Sequence, residues 1–310
     1  LFGSGGSGAD TGGDQRRGGS AKTRSALIPF AAFGQRPLLA LNSWNGKSMK
    51  LPVGYWLETA APANLPYTTG LQLWLKGEDL ITSNGVLVDE WPDSSGFSRH
   101  FTQTTAANRP HLLNTGAGGG NNFAYFDGTN EYLTSPFVSS LNGANMTVFV
   151  VYAASGTIAS GATDGVFTSK STSAGYGIRY NGTNDATGVG FSRAGPATEN
   201  VYSPNNTVDP NFYPNITTAT LQANNTVLSL NGTKVVANSA TYTPLTSGSA
   251  YIGANFTSSL ADYFQGAVYE IIVYNSVLSP NNIMDIEGYL ANKYGMSSEL
   301  INTHDYYSND

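Results

Sequence analysis

Hydrolysis by carboxylates needs two of them at a fixed separation, about 5 to 5.5 Å for a retaining glycosidase and about 6.5 to 9.5 Å for an inverting one. Glu270 stands alone in Val268-Tyr269-Glu270-Ile271-Ile272, with no second acid two or four residues on, where it would share a strand face. Asp285 and Glu287 are two apart in a segment of helical spacing, where such neighbours do not face each other. Glycosidase chemistry is therefore not expected, and the chain reads as non-enzymatic. The histidines His100, His111 and His304 lack metal-ligand spacing, and the polar surroundings of His100 and His111 read as solvated surface. No serine sits in a Gly-x-Ser-x-Gly turn, and residues 116–120 lack a lysine and open no helix, which makes them a surface loop rather than a phosphate cradle. With no cysteine in the sequence, thiolate nucleophiles, thiolate zinc sites and disulfides are excluded.

Binding chemistry has more material. Tyr176, Tyr180, Tyr202, Tyr213 and Tyr251 are candidate sugar contacts, because aromatic rings beside polar groups suit carbohydrate; the competing reading of most of them is a place in the core or at its rim. Asp164, Asn184 and Asp185 could supply oxygen ligands to calcium, the one cofactor the sequence leaves open, although no EF-type loop surrounds them. Asp93 and Asp127 sit in Asp-Ser-Ser-Gly and Asp-Gly-Thr-Asn, where side-chain bonds to nearby backbone form turns; a calcium or sugar contact is the alternative. Seven Asn-x-Ser/Thr sequons, at Asn145, Asn181, Asn205, Asn215, Asn224, Asn231 and Asn255, are expected as chance products of a chain rich in Asn and Thr.

These side chains need elements to hold them. Period-two runs at residues 71–75, 147–152, 166–170, 176–180, 226–230 and 267–274, bounded by Gly, Asn, Ser and Pro, predict antiparallel strands. Asn231-Gly232 supplies the positive φ angles of a type I′ hairpin turn between two such runs. Ser279 as cap, Pro280 at the first helical position, apolar residues at Ile283, Ile286, Tyr289, Leu290 and Tyr294, and a stop at Gly295 predict one helix. Trp74 and Trp91 are large apolar plugs, each indole N–H expected to reach a backbone carbonyl. The longest apolar run, residues 148–154, falls far short of the roughly 18 residues a membrane helix requires.

Charge is scarce and unevenly placed. Only 12% of the 310 residues are charged, against about 25% in ordinary soluble domains. Residues 1–50 hold seven basic and two acidic side chains, +5, whereas residues 51–310 hold eight and nineteen, −11. Residues 1–20 contain eight glycines and too little apolar surface to offset their own ordering, so contacts from neighbouring subunits or a partner surface are expected to hold them. Residues 25–66, interrupted by five prolines, read as an irregular extended arm. Arg16, Arg17, Lys22, Arg24, Phe30, Phe33, Arg36 and Trp44 are its docking candidates. Nucleic acid is not the expected partner, since no aromatics interleave the basic residues near Arg16 to Arg24 and the body is acidic. Leu1 in place of methionine points to a processed or truncated start.

Leu73-Trp74-Leu75-Lys76, Trp91-Pro92-Asp93-Ser94-Ser95-Gly96 and the run from Tyr125 to Leu133 occur in an order that resembles the concanavalin A-like lectin/glucanase superfamily, in its laminin G-like branch. Leu228 to Gly232, Tyr251-Ile252-Gly253, Phe264 to Tyr274 and Gly288 to Gly295 continue the resemblance, which spans about residues 67 to 296. It implies an all-β fold: a two-sheet antiparallel jelly-roll sandwich of roughly a dozen strands, with one C-terminal helix. The expected division is an arm at 1–66, the sandwich at 67–296 and a tail at 297–310. Glucanase relatives carry alternating carboxylates on the strand that matches Glu270, and this chain lacks the second.

The sequence favours a structural and binding protein of a virion or other extracellular assembly, such as a capsid decoration, head-fibre or tail-fibre protein. Its arm would dock among symmetric copies and other virion proteins, and its sandwich would meet a host-surface glycan. The alternative is a secreted carbohydrate-binding adhesin or accessory module that needs no particle.

Overall fold

The computed structural model describes residues 64–308 apart from residues 81–84, 115–120, 137, 156–162, 172–173, 182–185, 193–197, 205–206, 210, 223–224, 239–242 and 257–258. All of these belong to the unit Pro37–Asp310. The docking candidates Arg16, Arg17, Lys22, Arg24, Phe30, Phe33, Arg36 and Trp44 lie outside the described residues, as do the calcium candidates Asn184 and Asp185.

Two large antiparallel sheets form a sandwich. The first contains β1 (Leu71–Lys76), β4 (His111–Asn114), β5 (Asn122–Asp127), β7 (Met146–Ser155), β12 (Asn211–Leu221), β13 (Thr226–Leu230), β14 (Thr233–Asn238) and β18 (Gln265–Tyr274). Its order is β14-β13-β12-β7-β18-β5-β4, with β1 also paired to β18. The second sheet runs β11 (Thr198–Tyr202), β10 (Ala186–Ser192), β9 (Gly175–Asn181), β8 (Thr163–Lys170), β15 (Ser249–Ile252), β6 (Leu133–Pro136), β3 (Phe101–Thr102), β2 (Glu90–Trp91). A two-stranded ribbon, β16 (Asn255–Phe256) with β17 (Leu260–Ala261), precedes β18, and the helix α1 (Pro280–Tyr294) follows it.

Alternation decides what fills the gap between the sheets. Val148, Val150 and Tyr152 of β7 and Val268, Ile271 and Val273 of β18 point inward from the first sheet. Phe167, Tyr176, Ile178 and Tyr180 meet them from the second, with Trp91, Phe101 and Phe126 filling the remainder. The register of β18 against β7 slips between Val268 and Glu270, a bulge that leaves both Tyr269 and Glu270 on the outer face.

That outer face is also buried. Phe123, Tyr125, Phe149, Val151, Ile216, Ile272 and Tyr274 pack under Ile286, Tyr289, Leu290 and Tyr294 of α1, and Met296 and Leu300 extend the cover. Burial on both faces explains why all ten residues of β18 are buried and why β7 reads as a continuous apolar run. The helix starts where the Ser279 side chain accepts a bond from the Asn282 N–H at 3.2 Å and stops at Gly295, whose φ of 64° only glycine adopts freely. In the hairpin turn Asn231 and Gly232 have φ of 47° and 74°, the pair of positive angles a type I′ turn requires.

Candidate functional site

The acids that might do chemistry on the covered face are spent on structure. Glu270 is fully buried; its Oε1 accepts from Trp74 Nε1 at 2.6 Å and the Tyr289 hydroxyl at 3.4 Å, and its Oε2 from the Tyr294 hydroxyl at 2.8 Å and from Lys293 Nζ. Lys293 also donates to Glu78 at 2.8 Å. Burial, with the nearby carboxylates Glu270 and Glu78, holds the Tyr289 and Tyr294 hydroxyls well above the ordinary phenol range, so they stay protonated donors. This network clamps α1 to the sheet. Trp74 thus serves a carboxylate rather than the backbone carbonyl expected of it, whereas Trp91 does donate to the Lys76 carbonyl at 2.8 Å.

Asp285 and Glu287 also have separate tasks. Tyr306 donates to Asp285 at 2.9 Å, and Thr218 donates to Glu287 at 2.6 Å with His304 Nε2 3.5 Å from its other oxygen. The expectation of a solvated His111 is corrected: it is buried on β4, 3.4 Å from Glu131. His100 Nδ1 accepts from the Asp93 N–H at 2.9 Å. The Asp93 carboxylate accepts from the backbone of Trp74, Ser95 and Arg99 at 2.9–3.0 Å, and Asp127 from that of Thr129 at 2.8 Å, which is turn chemistry. Among the sequons, Asn215 and Asn255 are buried and Asn231 is engaged by the Ile216 N–H at 2.8 Å, so these three amides are occupied in the fold.

The outer face of the second sheet is built differently. Across β6, β15 and β8, Thr134, Tyr251 and Thr168 stand opposite one another, and the adjoining strand β9 contributes Gly177. The β16–β17 ribbon roofs part of this face: Thr168 Oγ1 donates to the Ala254 carbonyl at 2.9 Å, and Gly165 sits so close under Ala254 that a Cβ would strike its backbone. The ribbon brings Phe256 onto Tyr251 in a parallel stack, centroids 5.6 Å apart and planes 10° apart. Tyr132 meets Tyr251 edge-on at 6.2 Å and Tyr263 at 6.5 Å. All four rings are half-buried, which leaves aromatic surface beside hydroxyls and a polar sheet face.

Two cations lie on the same face. Arg179 of β9 alternates with the core residues Ile178 and Tyr180, and its Nη2 donates to Asn255 Oδ1 at 3.2 Å; Asn255 donates in turn to Asp262 at 3.1 Å. Lys170 ends β8 opposite Gly175 and is 2% exposed. Burial and the Arg179 charge lower its ammonium to about 8, against a raising influence from Asp262. Asp164, at the start of β8, is 1% exposed with its Oδ2 unpartnered, and burial with the Asp262 charge raises its carboxyl to about 7. Among the described residues no group of three His, Asp or Glu side chains is arranged to hold a metal.

Of the sugar candidates, Tyr251 lies in this aromatic group. Tyr176 and Tyr180 are corrected: both are fully buried between the sheets, because positions 176, 178 and 180 of a strand share one face and that face is the core. Tyr202 is half-buried on the edge strand β11, paired with Gly188. Tyr213 belongs to the first sheet, where burial and then the Glu299 and Asp209 charges raise its hydroxyl. Phe256, Tyr132, Tyr263, Lys170 and Arg179 were not legible as site residues. One signal existed for the cations, since period-two alternation already sets Arg179 opposite in sense to Tyr176 and Tyr180.

The architecture is a two-sheet antiparallel sandwich with one face sealed by a helix and the other carrying half-buried aromatics and cations. The chain belongs to the concanavalin A-like lectin/glucanases superfamily, whose laminin G-like model matches residues 127–284, half of its length. Comparison with the curated proteins returns no match. Among solved structures, the binding domain of paraclostridial mosquitocidal protein 1 is similar with a TM-score of 0.56 at 12% identity, over 73% of this chain and 53% of that one. The binding domain of botulinum neurotoxin DC in complex with SialylT is similar with a TM-score of 0.52 at 9% identity, over 73% and 52%. A Trypanosoma rangeli sialidase in complex with sialic acid has a TM-score of 0.50 at 14% identity, over 74% and 34%. The chain spans about half the length of the two binding domains, and identities this low show the fold alone. None of the described helices is long and apolar enough to cross a membrane.

Proposed function

We propose that the sandwich is a non-catalytic carbohydrate-binding module of an extracellular protein, and that the outer face of the second sheet is its glycan contact. The observation that carries this reading is the Tyr251–Phe256 stack, flanked by Tyr132 and Tyr263 and continuous with Thr168 and the two cations. Aromatic surface beside a few fixed polar groups is the usual make-up of a ligand site. The neurotoxin binding domain solved with SialylT shares this fold over about half of its own length. The engagement of Glu270 beneath α1 supports the non-catalytic part, because its oxygens already face four donors. Glycan-array binding by the soluble protein tests the proposal: signal that falls in Tyr251→Ala and Phe256→Ala supports it, and an array that stays blank removes it.

The virion reading rests on a different observation, the +5 charge of residues 1–50 against −11 for the rest. A docking arm and a glycan-binding sandwich are compatible on one chain. Deletion of residues 1–50 separates them: it is expected to abolish incorporation into an assembly while leaving glycan binding intact.

A further inference from the structure

We propose that Lys170 makes the outer face of the second sheet selective for an anionic glycan, its ammonium receiving the negatively charged substituent of an acidic sugar. The inference rests on the glycan-binding reading of that face and deepens it. Lys170 is 2% exposed, yet it makes no hydrogen bond or ion pair with any described residue. Its Nζ is not among the fully buried atoms that lack a partner, so the ammonium reaches the surface of this face, where its three donors are open to an acceptor from outside the chain. An apolar residue would serve the fold as well or better.

The surroundings fit an incoming anion. Lys170 and Arg179 bracket the row in which Thr168 stands opposite Gly177, and their charges act on each other. Among the described residues, the charged groups acting on Lys170 are Arg179 from β9 and Asp262 from the segment before β18, the latter held by Asn255. On β9 beside the cations, Gly175 and Gly177 place no side chain on this face, and the Thr168 methyl lies against Gly177. A backbone floor beside two cations, continuous with an aromatic stack one strand away, accepts a ring that bears a charged group.

Isothermal titration of the full chain with 3′-sialyllactose, lactose and 6-sulfated galactose tests this. Wild type is expected to bind sialyllactose at least about tenfold more tightly than lactose, and Lys170→Met to lose that preference while still binding lactose. Lys170→Arg, which keeps the charge, is expected to retain part of the preference and covers the case in which the methionine variant fails to fold. Because the anion binds the protonated amine, wild-type affinity for sialyllactose should fall between pH 7 and 9, through the lowered value of about 8, while lactose affinity stays level. Sulfated galactose binding as well as sialyllactose supports selectivity for negative charge rather than for a carboxylate. Equal affinity for sialyllactose and lactose, or a preference that survives Lys170→Met, overturns the inference but leaves glycan binding standing. No binding of any of the three overturns the glycan reading itself.

Discussion

Each outer face of the sandwich carries a lysine whose side chain is little exposed, and the two lysines are treated in opposite ways. Lys293 on the covered face meets Glu270 and Glu78, and Glu270 is further satisfied by Trp74, Tyr289 and Tyr294. Lys170 on the other face has no hydrogen-bonded partner among the described residues. A satisfied buried network fixes one packing of helix on sheet, because removing any member strands the rest. A cation held without a protein acceptor adds little to stability, which fits the proposed glycan contact better than a place in the core. The comparison separates a face used for architecture from the one proposed for recognition.

The largest effect that sharpens this contrast is expected at Glu270. Glu270→Ala should cost about 3 to 5 kcal/mol in denaturant unfolding, since it leaves Lys293, Trp74 and two tyrosines without their acceptor. A loss under about 1 kcal/mol would mean that the clamp is ornamental. Next comes Tyr251→Ala on the other face, which should weaken glycan binding about tenfold or more while costing only about 1 kcal/mol of stability beyond its lost packing.

Lys170→Met should move stability the other way. The folded-state ammonium lies near 8, below its ordinary 10.5, so the penalty is in force at pH 7 and disappears as pH rises through 8 toward 10.5. The variant should therefore gain on the order of 1 to 3 kcal/mol at pH 7 and almost nothing at pH 11, as read by thermal melts across that range. The smallest effect is expected from Asp164→Asn. A carboxyl raised from 3.8 to about 7 lends stability that is complete below pH 4 and lost as pH climbs through 7, so the variant should flatten that slope in wild-type melts. An unchanged slope would assign the pH dependence to other groups.

Legibility followed length and burial. The strands β7, β9 and β18 and the helix were readable because each runs long enough to show its period, and the turn at Asn231-Gly232 because its angles demand those residues. The two-residue strands β2, β3, β16 and β17 are too short to alternate, and β16 is the element that delivers Phe256 to the site. His111 looked like a loop residue because its partner Glu131 lies twenty residues away and meets it only through folding. Tyr176 and Tyr180 were attractive as aromatics near polar residues, yet their spacing of four on a strand already assigned them to the face of Ile178.

By itself the sequence determined the class of fold, the capped helix, the lack of a second carboxylate beside Glu270 and the division of charge between residues 1–50 and the rest. These are local or compositional properties, set by periodicity, turn angles and residue counts along the chain. Only the tertiary structure decided which polar groups are matched. Glu270 gains partners from β1 and α1, while Lys170 gains none from the strands beside it. Satisfaction of a buried charge depends on atoms brought within about 3 Å from distant parts of the chain, and no spacing along the sequence encodes that distance.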